Sequence, residues 1–375
     1  MARQLSFWAL VALIVGTQIG AGILGLPHVV APLGPFWGSV VLFLGAVLMA
    51  STAVMLVEAL YLTNPRYHYF DLAEHYLGRL GFLLVLFVVF SSYFALIAYV
   101  VGLGDVLHAI ATHYGFPDLG AAGWAVLSWA LLSLVVFAGL RVSGAAEGSL
   151  TLFIVLIILT IVLWALPHIS FPSVQRLDFR AFTVAFNVGV FAYFAHVIVP
   201  EIIQSSRKLE KTVGAIITAF GLSFVLYTGF ALAVAGVLYG NVPEIGTLGL
   251  VNVVDPGLAI LALVLPLLTI VTSYIGVGIA LVDMLNEIIR NRAVSWFLAV
   301  VPPLVVALSG SAGFISSLSI GAIGIILAGG ILPAVLFIMA RNERRRHVLP
   351  VPTWYAWLSA AIFSLILVYS LFAAL

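Results

Sequence analysis

The chain has 375 residues, 64% of them hydrophobic and 8% charged, with a mean hydropathy of +1.25. That composition excludes an ordinary soluble domain, and runs of about 20 apolar residues read as membrane-crossing helices. The net charge of +1 gives no reason to expect a nucleic-acid partner, and the absence of cysteine excludes disulfides, thiolate metal sites and thiol nucleophiles.

Eleven apolar helices are predicted, over about 5–33, 36–62, 80–107, 121–140, 145–167, 182–204, 211–239, 257–289, 294–310, 314–340 and 353–374. The expectation is an all-α integral membrane protein with a single transmembrane domain over 1–375. The first run begins after Met1-Ala2-Arg3 and continues past residue 30 without a cleavage-like end, so it reads as a true span and not a signal peptide. In its middle stands Gly16-Thr17-Gln18-Ile19-Gly20-Ala21-Gly22. Each interior glycine costs a helix roughly 1 kcal/mol relative to alanine. Irregular backbone in hydrocarbon survives only against protein or a wet cavity, and transporters bind substrates and ions at such breaks. Close packing of small residues is the other reading, but the polar Thr17 and Gln18 favour a break.

The second span carries Glu58 near its inner end. The polar stretch from Arg66 to Arg79 (Phe70, Leu72, Ala73, Tyr76, Leu77) is amphipathic and predicts a short helix at the interface. The third span holds Ser91-Ser92-Tyr93 and, near its outer end, Asp105. The fifth has Glu147 and no lysine. The sixth again has polar residues near its middle, Asn187 and the run Val190-Phe191-Ala192-Tyr193-Phe194-Ala195-His196. The eighth places Thr269, Thr272 and Ser273 on one face, at i, i+3 and i+4, with Asp283 near its inner end. Arg207-Lys208 and Arg344-Arg345-Arg346 are read as topology signals.

With the N-terminus cytoplasmic, the inner segments hold Arg3, Arg66, Arg79, Arg141, Arg207, Lys208, Lys211, Arg290, Arg292, Arg341, Arg344, Arg345 and Arg346; only Arg176 and Arg180 fall outside. The positive-inside rule selects that orientation, and eleven spans then put the C-terminus outside. Spans five apart run in opposite directions, so an inverted repeat of five plus five is available (about 5–167 and 182–340), with an extra helix at 353–374. Ser91-Ser92-Tyr93 with Asp105, against Thr272-Ser273-Tyr274 with Asp283, gives a faint internal echo, either descent or chance.

The run Gly16-Thr17-Gln18-Ile19-Gly20-Ala21-Gly22-Ile23-Leu24-Gly25-Leu26-Pro27 resembles the first helix of the bacterial aromatic amino-acid permeases, specific for tyrosine and tryptophan. These belong to the amino acid/auxin permease group, within the APC superfamily, and share the leucine-transporter fold. Further matches are Leu56-Val57-Glu58-Ala59, Asp71-Leu72-Ala73 with Tyr76-Leu77-Gly78, Phe194-Ala195-His196 with Pro200, and Thr272-Ser273-Tyr274-Ile275-Gly276-Val277 with Asp283. The family's Gly-Phe-His becomes Phe194-Ala195-His196 here.

The resemblance implies breaks in the first and sixth helices that bind an amino-acid zwitterion. A broken helix offers N–H groups to a carboxylate and C=O groups to an ammonium. By resemblance, Gly20 and the amides of Ala21 and Gly22 take the carboxylate. The carbonyl of Gln18, beside Thr17, takes the amine together with carbonyls around Val190 and Phe191. Tyr193 and Phe194 help to enclose the substrate, and Tyr93 either closes over the carboxylate or is an ordinary buried tyrosine. Thr269, Thr272 and Ser273, beside the carbonyls of Gly16 and Ile19, match the fold's second sodium site; alternatively their hydroxyls bond their own helix. His196, Glu58, Asp105 and Asp283 are candidates for coupling or gating by the default applied to intramembrane ionisable groups, with structural pairing as the plainer reading; His28 is a weaker candidate of the same kind.

The expected function is ion-coupled symport of a neutral, aromatic or large apolar amino acid in the cell membrane. Alternating access would rock spans 1, 2, 6 and 7 against spans 3, 4, 5, 8, 9 and 10. No cofactor is expected; Na⁺ or H⁺ is the coupling ion. An intramembrane enzyme is disfavoured by the absence of Gly-x-Ser-x-Gly, His-Glu-x-x-His or paired midplane aspartates. A channel or uncoupled facilitator is the other alternative.

Overall fold

The computed structural model describes residues 4–140, 144–171, 177–206 and 208–374. Arg3, Arg141, Arg176 and Arg207, counted above for orientation, lie outside them, and the Glu147 side chain is likewise not described. The described residues are helical throughout. The first span is α1 (Phe7–Gln18) and α2 (Gly22–Val30), the second is α3 (Gly34–Thr63), and α4 (Tyr69–Leu77) is the expected interfacial helix. Five spans follow the pattern: α5 (Phe82–Tyr114), α6 (Gly120–Ala138), α7 (Gly144–Ala165), the split pair α8 (Phe179–Ala192) and α9 (Val199–Ser206), and α10 (Leu209–Leu238). The remainder are α11 (Pro256–Ile289), α12 (Arg292–Leu308), α13 (Phe314–Ile325) continuing into α14 (Leu332–Arg344), and α15 (Thr353–Ala374). Among the described residues, nine helical runs are long and apolar enough to cross a membrane, and α1 and α12 are shorter apolar helices.

Local sequence explains most ends. Gly115 and Gly139 adopt φ +68° and +66° at the C-termini of α5 and α6, the left-handed conformation that glycine adopts without penalty. Asp178 caps α8 through the Arg180 and Ala181 amides, and Asn291 caps α12 through Val294. In the loop after α5, the hydrogen bond from His108 holds the Asp118 carboxyl below its ordinary range.

Two departures from the sequence reading matter. Helix α5 runs to Tyr114, so Asp105 lies more than two turns inside its C-terminal end. The tenth span is interrupted by a π-helical segment, Ile326–Ile331, between α13 and α14. π-bulges of this kind cluster at functional sites. Here the segment meets three other elements. The Ala328 carbonyl accepts from the Tyr69 hydroxyl of α4, Gly329 packs on Phe194 and His196, and Gly330 packs on Phe363 of α15.

The extra helix α15 is fastened at both ends. Ser370 pairs with Asn187 of α8, whose amide also reaches Ser319 of α13 (3.0 and 3.2 Å). At the other end, Arg341 of α14 grips Glu58 of α3 through Nε and Nη2, both at 2.8 Å, while its remaining N–H groups reach the Leu349 and Val351 carbonyls. The Val348 and Leu349 amides complete the carboxylate's shell. Both side chains are buried. A buried pair with every donor and acceptor satisfied is the form in which intramembrane charge is tolerated.

Candidate substrate site

Both breaks form where the sequence places them. Helix α1 ends at Gln18, and Ile19 turns to extended backbone (φ −76°, ψ 92°). Only Ile19, Gly20 and Ala21 separate it from α2, whose start is held by Ile23 N–H to Gly20 O and Leu24 N–H to Ala21 O. Helix α8 ends at Ala192; Tyr193, Phe194 and Ala195 are non-helical, and a 3₁₀ turn over His196–Ile198 leads into α9. The two breaks touch. A Cβ added at Gly22 would lie 3.1 Å from both Cα and Cβ of Ala192 and 3.4 Å from the Phe191 ring.

The freed polar groups are largely satisfied by side chains from across the gap. Gln18 Nε2 donates to the Tyr193 carbonyl (3.1 Å), and its Oε1 accepts from Ser223 Oγ (2.6 Å). The Tyr227 hydroxyl lies against the carbonyls of Gln18 and Ala192, one from each break. This alters the expected role of Gln18: its main-chain carbonyl already has a donor, and its side chain is the bridge. Ser223 and Tyr227 were not singled out in the sequence. Their signal is a polar pair at i, i+4 on one face of an otherwise apolar helix.

The proposed carboxylate cradle holds a side chain as well. The Ala21 amide donates to Ser273 Oγ of α11 at 3.2 Å, and a Cβ on Gly20 would come within 2.8 Å of that oxygen. Ser273, expected in the ion pocket, thus stands at the first break, where an anionic oxygen would sit. The Thr269 and Thr272 hydroxyls donate to carbonyls of their own helix, at Leu265 and Leu268, the alternative left open above. Gly16 packs on Thr151 of α7. Hydroxyls that have spent their proton still offer lone pairs to a cation. No described hydrogen bond carries Thr269 or Thr272 to the first span.

Phe191 and Phe194 are half-buried, Val190 and Tyr193 buried. Tyr193 stacks between Phe220 and Tyr227, and its hydroxyl is buried without a described partner. His196 is fully buried, parallel to the Phe194 ring at 5.6 Å. Its Nε2 lies 3.0 Å from Thr52 Oγ, which also sits 3.1 Å from the Leu48 and Met49 carbonyls. The other ring nitrogen of His196, Nδ1, is buried without a described partner, beside Gly329.

The other expected residues lie elsewhere. Tyr93 donates to the Leu298 carbonyl of α12 (2.7 Å). Thr17 is exposed and bonds back to Leu13. Glu58 belongs to the Arg341 pair, and Asp283 faces Arg292 at 3.3 Å on the surface. Asp105 is half-buried on α5 and makes no described hydrogen bond to either break. His28 reaches the Val242 carbonyl in the loop after α10 (2.7 Å).

Residues 3–372 match the family model of the tryptophan/tyrosine permease family. The chain belongs to this family. It is 28% identical over 373 residues to the Haemophilus influenzae tyrosine-specific transport system 1, covering 91% of this chain and 90% of that protein. It is 24% identical over 400 residues to the Shigella flexneri tryptophan-specific transport protein, covering 97% and 93%. Among solved structures, the inward-facing conformation of Mhp1 superposes with a TM-score of 0.71 at 16% identity, covering 100% of this chain and 89% of that one. MhsT in complex with L-phenylalanine gives 0.63 at 12%, with both chains fully covered. The permease is therefore a multi-pass membrane protein of the leucine-transporter fold that serves amino-acid transport, and not an enzyme.

Proposed function

We propose that this permease carries a neutral amino acid with an aromatic or large apolar side chain, by ion-coupled alternating access around the two breaks. The observation that carries this reading is the contact of the breaks at Gly22 and Ala192, with Gln18 and Tyr227 joining their backbones. A zwitterion there meets the positive end of α2 at Ala21 and Gly22 and the negative end of α1 around Gln18 and Ile19, so neither charge of the substrate needs a buried side-chain charge.

Substrate class follows from what stands around the breaks. Phe191 and Phe194 are the half-buried aromatics at the second break. Neither break contains Asp, Glu, Lys or Arg between residues 16 and 22 or 190 and 196. A charged side chain would be buried unpaired, at a cost of several kcal/mol. The names of the tyrosine- and tryptophan-specific relatives support the same class.

Coupling to Na⁺ or H⁺ has one support: Ile19, Thr272 and Ser273 carry oxygens of the kind a small hard cation takes. Movement of spans 1, 2, 6 and 7 against the rest, a cytoplasmic N-terminus and residence in the plasma membrane complete the reading. The test is uptake of labelled tryptophan into proteoliposomes under imposed Na⁺ or H⁺ gradients, with the common amino acids as competitors. Accumulation driven by one gradient, blocked by Trp, Tyr, Phe or Leu and untouched by Glu, Asp, Lys and Arg, is expected. Purely dissipative flux would replace symport with facilitation, and a charged amino acid as best competitor would move the pocket elsewhere.

A further inference from the structure

A cleft of about 530 Å³ opens where the end of α3, α9 and the start of α10 meet. Tyr61, Arg66, Gln204 and Lys208 line it, over apolar walls that include Val57 and Ile203. No carboxylate borders it among the described residues. At the same end of the molecule Arg292, Arg341 and Arg344 each face a carboxylate, and Lys211 caps the Leu5 carbonyl. Arg66 and Lys208 make no such pair among the described residues.

The backbone under both cations is pinned. The Arg66 amide donates to Asn64 Oδ1, and Gln204 Nε2 reaches the Arg66 carbonyl. The Lys208 amide donates to Ser206 Oγ, and the Lys208 carbonyl accepts from both Ser206 and Thr212 hydroxyls. Two cations on pinned backbone, sharing a cleft with a tyrosine and a side-chain amide, suit an anion. We propose that this cleft binds the phosphate-bearing headgroup of an anionic phospholipid. The apolar walls favour a lipid over a soluble anion: Val57 and Ile203 belong to runs long and apolar enough to cross a membrane, and the cleft lies near the ends of those runs. Basic pockets between transmembrane helices hold acidic headgroups in this way. A headgroup here bridges the second span, the latter half of the sixth and the start of the seventh, so its occupancy bears on how these three move together.

The test uses the full-length permease in neutral detergent, stripped of lipid, with melting temperature followed against added phosphatidylglycerol, phosphatidylcholine or glycerol 3-phosphate. Phosphatidylglycerol should raise the melting temperature, the other two should not, and Arg66→Gln/Lys208→Gln should need roughly 30-fold more lipid for the same shift, as loss of two headgroup-facing cations implies. Arg66→Lys/Lys208→Arg, which keeps both charges, should respond like the parent; this variant decides the matter if the neutral one fails to fold. An unchanged response in the neutral variant, or an equal effect of phosphatidylcholine, overturns the site. An equal effect of glycerol 3-phosphate overturns the lipid assignment in favour of a soluble phosphate.

Discussion

The side-chain amide of Gln18 donates to the main-chain carbonyl of Tyr193 across 3.1 Å, tying the first helix break to the second. Every hydrogen bond of the Gln18 side chain goes to an element other than its own helix, and Tyr227 reinforces the link from α10. The breaks therefore support each other, and a change at one should be felt at the other.

Tyr227→Phe removes one hydroxyl and leaves the carbonyls of Gln18 and Ala192 short of a donor. A buried unsatisfied group costs about 1–3 kcal/mol. The variant should insert normally, melt several degrees lower and lose most uptake. Gln18→Leu should be more severe, because it also strands Ser223. Melting curves in detergent and uptake per inserted molecule check both; parent-like uptake by Tyr227→Phe would show that the link is structural ornament.

Gly22→Leu should abolish uptake with insertion retained, since its Cβ alone would sit 3.1 Å from Ala192 Cα, a backbone atom that cannot rotate away. Gly22→Ala should be a partial loss. Ala192→Gly removes one of the two contacts, so the pair Gly22→Ala/Ala192→Gly should regain part of the uptake. Non-additivity of this kind marks residues in contact. Additive losses would mean the two breaks act separately.

Ser273→Ala should impair uptake far more than Thr272→Ala. Ser273 holds the Ala21 amide, whereas Thr272 bonds its own helix. Uptake measured across a range of sodium and proton concentrations separates the roles: a weaker cation dependence in Thr272→Ala would restore that hydroxyl to the ion pocket, and an unchanged one would leave it a helix-bonding group.

Much of this was legible in the chain. The glycines at 16, 20 and 22 and the polar residues near 187–196 located both breaks, and the hydropathy runs located all eleven spans. What bridges the breaks was not legible, because Ser223 and Tyr227 lie some 205 and 209 positions from Gln18 and look like any polar pair in an apolar helix. Glu58 drew attention as an intramembrane charge, yet its partner stands 283 positions away, and only the fold could show that the carboxylate is spoken for. The Leu298 partner of Tyr93 was hidden for a related reason: sequence gives a helix position and not the direction a side chain takes.

Glu58→Gln should therefore act on stability before transport. Removing one partner of a buried ion pair costs about 3–5 kcal/mol, here by leaving Arg341 charged and uncompensated. Glu58→Gln and Arg341→Met should each lower the melting temperature sharply, and the double variant Glu58→Met/Arg341→Met less than their sum. Apparent affinity for substrate in whatever protein survives should stay close to that of the parent; a large change would return Glu58 to the coupling machinery.

The chain contains no cysteine, so a single introduced thiol reports on one place without background, and this gives the most direct test of a substrate site at the paired breaks. With cysteine at Phe194, alkylation by a water-soluble thiol reagent should slow several-fold in the presence of tryptophan or tyrosine and stay unchanged with glutamate or lysine. A cysteine at Tyr114, at the C-terminal end of α5, should react at one rate throughout. Equal alkylation of the Phe194 thiol with and without aromatic amino acid, in protein that still takes up tryptophan, would contradict the account.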